Sequence, residues 1–138
     1  MKTFFILCFS LLIFNSKIEA QNKAPHKIIF QMVTGDTASH KMLMKQFANI
    51  LSIAPDAQIE VVCHGPGLQM MMLEKTIVAN KIAALKEKGV VFNVCEFSMK
   101  ERKVERSMLI EQATLVPAGI IEIVEKQEQG WSYIKAGI

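Results

Sequence analysis

Apolar runs of strand length alternate along this chain with segments whose apolar residues recur at helical spacing. Lys27 to Val33 (KIIFQMV) is the first such run, and Thr34-Gly35-Asp36-Thr37 then supplies a turn and a helix N-cap. From Ala38 to Ile53, Leu43, Phe47, Ile50 and Leu51 keep a helical period until Pro55-Asp56 stops the segment. The pattern then repeats. Gln58 to Cys63 (QIEVVC) reads as a strand, His64-Gly65-Pro66-Gly67 as a tight loop, and Ile77 to Lys88 as a helix ended by Gly89. Val90 to Cys95 (VVFNVC) is a third strand, rich in β-branched residues, and leads into a charged helical stretch from Lys100 to Gln112. Ala113 to Val116 forms a short fourth strand. Pro117 suits the first turn of the next helix, whose apolar stripe is Ile120, Ile121 and Val124, and Trp131 to Ala136 closes the chain as a last strand after Gly130.

Strands alternating with helices on short connections require an open, mainly parallel sheet, because right-handed crossovers lay the helices over its faces. The expected fold class is therefore α/β, a three-layer α/β/α sandwich around a five-stranded, mainly parallel sheet. Chemistry in such sheets gathers at the carboxyl ends of the strands. Four features fall there: Thr34 to Asp36, Cys63-His64-Gly65, Cys95, and the turn before Pro117.

The first twenty residues stand apart from this alternation. Lys2 precedes an apolar run from Phe4 to Phe14, and a short polar stretch ends in Ile18, Glu19 and Ala20, the pattern of a signal peptide over residues 1–20. The run is shorter than the roughly 20 apolar residues of a spanning helix, so removal is expected rather than anchoring, and no other segment could cross a bilayer. The mature chain then begins near Gln21, and residues 21–138 form a single domain. An exported protein, periplasmic or extracellular, is expected. With 16 basic and 13 acidic residues in the 138, the net charge of +3 is too small and too evenly spread to imply a nucleic acid or an anionic membrane as partner.

Leader removal takes Cys8 and leaves Cys63 and Cys95, with no C-x-x-C and no zinc-ligand spacing. Cys95 ends a strand and faces a helix start close to Lys100, Arg102 and Lys103, a setting that favours a thiolate nucleophile; the competing reading is a small buried hydrophobe. His64 could move a proton near neutral pH, while core packing for Cys63 and a loop hydrogen bond for His64 are the plainer roles. A Cys63–Cys95 disulfide is a third possibility in an oxidising compartment. Gly65-Pro66-Gly67 lacks any phosphate-binding fingerprint and reads as a turn, so no cofactor is expected. Met70, Met71 and Met72, with Met42, Met44 and Met99, cannot all face one ion. No metal is expected; these methionines read as adaptable packing that one small sheet leaves partly unburied, and so as an assembly contact. Lys100 to Arg106 interleaves both signs, as a solvated helix face does.

Val61-Val62-Cys63-His64-Gly65-Pro66-Gly67-Leu68, Val91-Phe92-Asn93-Val94-Cys95, and Val116-Pro117-Ala118-Gly119-Ile120 through Gln127, Gly130, Trp131, Tyr133 and Ile134 together resemble the DsrE/DsrF-like family over roughly residues 26–137. That family includes YchN and the sulfur-relay subunits. The resemblance implies a parallel five-stranded sheet, a homo-oligomer (trimer or hexamer), and in relay members a cysteine that carries sulfur as a persulfide. Cys95 matches the position of that cysteine. Members often place Asn two residues on and then Ser or Thr; here Ser98 fits and Phe97 departs. The leader departs too, since relays that thiolate tRNA are cytoplasmic. Two functions of different class follow. One is a sulfurtransferase or sulfur carrier, with Cys95 as nucleophile, His64 in support, and a sulfane-sulfur donor and thiol acceptor as partners. The other is a non-catalytic oligomeric ligand-binding or accessory protein on the same fold.

Overall fold

The computed structural model describes residues 24–137; the expected leader, residues 1–20, lies outside the described residues. Five strands, β1 (Lys27–Met32), β2 (Gln58–Cys63), β3 (Val91–Cys95), β4 (Ala113–Val116) and β5 (Ser132–Ala136), form one sheet in the order β4-β3-β2-β1-β5. Every pairing is parallel. The helices are α1 (Thr37–Ile53), α2 (Ala79–Glu87), α3 (Glu96–Glu101) and α4 (Gly119–Glu128). The steps from β1 to β4 all move one way across the sheet, whereas the step from β4 to β5 returns past β1. Right-handed crossovers therefore put α1, α2 and α3 on one face and α4 on the other, which is the expected three-layer sandwich.

The two faces differ in chemistry. On the α1/α2 face, Phe30, Phe47 and Phe92 stack edge to face, with ring centroids 4.9 Å and 6.2 Å apart, among Met32, Val61, Cys63 and Val94. Beneath α4 the apolar cluster is small: Ile29, Val62 and Ile123, with Trp131 against it. Buried Glu60 lies on this second face. Its carboxylate accepts from Lys126 Nζ at 2.5 Å and from Asn93 Nδ2 at 3.0 Å, and Lys126 sits 4.6 Å from the centre of the Trp131 ring.

Four expectations need correction. The helix expected from Lys100 to Gln112 is instead the short α3, followed by Lys103 at φ 54° and a 3-10 turn at Arg106–Met108. The cause is Arg106, whose guanidinium donates to the carbonyls of Leu109, Ile110, Glu111 and Ala113 and so holds an extended approach to β4 in place of helical hydrogen bonds. The expected stripe of α4 is reversed: Ile120, Ile121 and Val124 are exposed, and Gly119 and Ile123 face the sheet with Lys126. The ion pair to Glu60 fixes that rotation. The methionines are mostly core. Of the six singled out, Met44, Met70, Met71 and Met99 are buried, Met72 is half-buried and Met42 is exposed, so they supply little assembly surface. Finally, the tight loop after β2 opens a seven-residue 3-10 helix, Gly65–Met71, with Pro66 in its first turn. Gly67 allows this helix to press on β1, since a Cβ there would lie 2.1 Å from the Met32 carbonyl oxygen.

Candidate functional site

Cys63 and Cys95 end neighbouring strands, but Cys63 is in register with Val94, one residue short of Cys95. Consecutive strand residues point to opposite faces, so the two thiols do too. Cys63 packs in the phenylalanine core and Cys95 lies under the start of α4. Both are free thiols, and the disulfide reading falls on this geometry.

Cys95 Sγ accepts the Gly119 N–H at 3.2 Å. Gly119 has no room for a side chain: a Cβ would lie 2.9 Å from Val62 Cγ1 and 3.1 Å from Cys95 Cβ. Burial by itself pushes the Cys95 thiol up. The N–H groups of Ser98 and Gly119, the Ser98 hydroxyl and the Phe97 N–H outweigh it, and the thiol falls below its ordinary value of 9.0. Hydrogen bonds from the helix start thus produce the shift expected from that start together with Lys100, Arg102 and Lys103, all three of which are exposed. Cys63 has no such donors, and burial alone pushes it far up. Cys95 is only 5% exposed, so its setting is a covered cradle with exposed Phe97 beside it rather than an open loop edge.

Ser98 joins this cradle to the loop after β2, because its hydroxyl oxygen also accepts the Gly65 N–H at 2.9 Å. His64, the residue before Gly65, is on the same face as Cys95, but its ring makes no hydrogen bond with the thiol. It turns toward β1 and β5. The Tyr133 hydroxyl donates to Gln31 Oε1, and Gln31 Nε2 meets His64 Nε2 at 2.7 Å, which leaves the ring proton on Nδ1. Burial holds the half-buried imidazole below its usual 6.5, so it is neutral at pH 7. The structure therefore brings both expected residues to one edge of one face and links them through Gly65 and Ser98, not directly.

The model of the DsrE/DsrF-like family matches residues 26–136. The chain belongs to the DsrE/DsrF-like family. No curated protein matches it. Among solved structures it is similar to that of the protein of unknown function MTH1491 from Methanobacterium thermoautotrophicum. The TM-score is 0.75 at 23% sequence identity, over 80% of this chain and 98% of that one, a likeness of fold. In this DsrE/DsrF-like chain, sequence reasoning did not assign Gly119, Gln31 or Tyr133 to the site. Gly119 had a signal, a helix-starting glycine after Pro117. Gln31 and Tyr133 had none, since the β1–β2 pairing brings Gln31 to His64 and the β1–β5 pairing brings Tyr133 to Gln31. Among the described residues no three His, Cys, Asp or Glu side chains converge as metal ligands, and no helix is long and apolar enough to cross a membrane.

Proposed function

We propose that this protein is an exported sulfur carrier in which Cys95 holds a persulfide. One observation carries the reading: Cys95 Sγ is the point on which the first N–H of α4 and the donors of α3 converge, lowering its pKa. The Cys95 thiolate attacks the outer sulfur of a sulfane donor, R–S–SH. A bond forms between Sγ and that sulfur, the donor S–S bond breaks, and R–S⁻ leaves with the bonding pair and takes up the proton. A thiolate acceptor then attacks the outer sulfur and releases Cys95 as thiolate, with no net oxidant. The converging N–H groups favour the anion both as nucleophile and as leaving group. His64 serves as a positioning residue, holding the Gly65 loop whose N–H meets Ser98.

Intact mass of the purified chain before and after incubation with a persulfide donor tests this. The carrier gains one sulfur atom on Cys95, and the Cys95→Ser variant gains none while keeping its fold. Equal loading of parent and variant would remove the reading. The burial of Cys95 supports the second function, a non-catalytic ligand-binding or accessory protein, which predicts no adduct on the folded chain. Homo-oligomer assembly as a trimer or hexamer is part of both readings, and export, with the chain starting near Gln21, is checked by N-terminal sequencing of the secreted product.

A further inference from the structure

On the opposite face from Cys95, a groove of about 580 Å³ opens between α1 and α2. That volume is within the range of small-molecule sites. Ala48 and Ala84 line it, and with no side chain beyond Cβ they leave the space between the helices unfilled, over walls that include buried Met44 and Leu85. The rim carries Lys41, Lys45, Lys81 and Lys88. The whole of α1 contains no Asp or Glu, and α2 has only Glu87 at its end. The ion pairs among the described residues both involve Lys126, so none of the four rim lysines has a carboxylate within ion-pair distance there. An apolar slot edged by four unpaired cations is complementary to one kind of molecule, an anion with an alkyl tail.

We infer that this groove binds a medium-chain acyl anion. Lys81 lies in the first turn of α2 and Lys41 at the start of the second turn of α1, and parallel crossovers put both at the same end of the groove. The carboxylate sits there, favoured by both ammonium groups and by the start of α2, which has no side-chain cap, whereas Asp36 already caps the start of α1. The tail runs along α1 toward Ala48, about 10 Å at the helical rise of about 1.5 Å per residue, under the aliphatic stems of Lys45 and Lys88. A helical peptide is a poorer occupant. With side chains it is about 10–12 Å across, and neighbouring packed helices leave about 8–10 Å between their axes.

Titration of the full chain with laurate below its micellar concentration tests the site, with dodecanol and dodecyltrimethylammonium as probes of the same tail. Saturable binding of one laurate per chain is expected, with dodecanol weaker by about tenfold or more and the cation not bound. Lys41→Gln with Lys81→Gln, both at exposed positions, should weaken laurate by about tenfold or more and leave dodecanol unchanged. Ala48→Leu with Ala84→Leu should abolish both by filling the slot. Absence of saturable laurate binding to chain that circular dichroism shows folded overturns the inference, as does binding that neither double variant changes. Binding of an acidic amphipathic peptide that laurate does not displace overturns it in favour of a protein-docking surface.

Discussion

At the scale of single residues, one step of strand register gives the two thiols opposite chemistry. Cys63 is fully buried with no donors, and Cys95 receives converging N–H groups. Alkylation follows the thiolate, and a lowered pKa puts more thiolate at neutral pH. The rate–pH profile of Cys95 should therefore have its midpoint below 9.0, while Cys63 stays unlabelled until denaturant is added. Gly119→Ala sharpens the test, because its Cβ forces the start of α4 away from Val62 and Cys95 and lengthens the bond to Sγ. The variant should lose about 1–3 kcal/mol of stability and shift the Cys95 midpoint upward. An unchanged midpoint would mean that Gly119 does not tune the thiol. The opposite orientation of neighbouring strand residues was legible in the sequence, and so was Cys95 at a strand end. The adjoining helix start was legible too, and it supplies the Phe97 and Ser98 N–H groups; the Gly119 N–H was not assigned, because it comes from a helix that begins 24 residues later.

At the scale of elements, α4 shows how a buried charge overrides an apolar pattern. Its most hydrophobic arc, Ile120, Ile121 and Val124, faces outward because Lys126 must reach Glu60 beneath the helix. Lys126→Met should strand the Glu60 carboxylate and cost about 3 kcal/mol, as loss of one partner of a buried pair does. Glu60→Leu with Lys126→Met should recover most of that loss. Urea denaturation of both variants measures it, and equal stability of the single variant and the parent would show the pair to be idle. Glu122 reports locally: burial holds its carboxyl above the usual range while Lys126 pulls it down, so removing Lys126 should raise it further. Strand positions and α1 could be read from periodicity because each is set by its own apolar positions. The segment after α3 could not, because Arg106 competes for backbone carbonyls that a local pattern assigns to a helix.

At the scale of the whole molecule, a single helix, α4, lies over the face that carries Cys95, and the topology explains why: three crossovers stack on one side and only the return to β5 uses the other. The outward arc of α4 then joins Phe97, since the N–H groups of Phe97 and Gly119 act on the same sulfur and Ile120 follows Gly119 directly. Phe97 is 63% exposed, Ile120 53% and Ile121 54%, large apolar side chains of the kind that protein contacts cover. For the homo-oligomer proposed above, this surface at the mouth of the Cys95 cradle is the contact to test, ahead of the mostly buried methionines. Light scattering should give a mass several times that of one chain, and Ile121→Glu should lower it to one while circular dichroism shows the chain still folded, because the side chain is exposed in the single chain. Met42→Gln should leave the mass unchanged. Because Phe97 and Ile120 flank the thiol, the dissociated Ile121→Glu protein should alkylate at Cys95 faster than the assembled parent at the same pH. A parent that is monomeric at micromolar concentration would refute the contact. An assembled parent whose Cys95 reacts as fast as the variant's would place the contact elsewhere on the molecule and leave the cradle open to solvent.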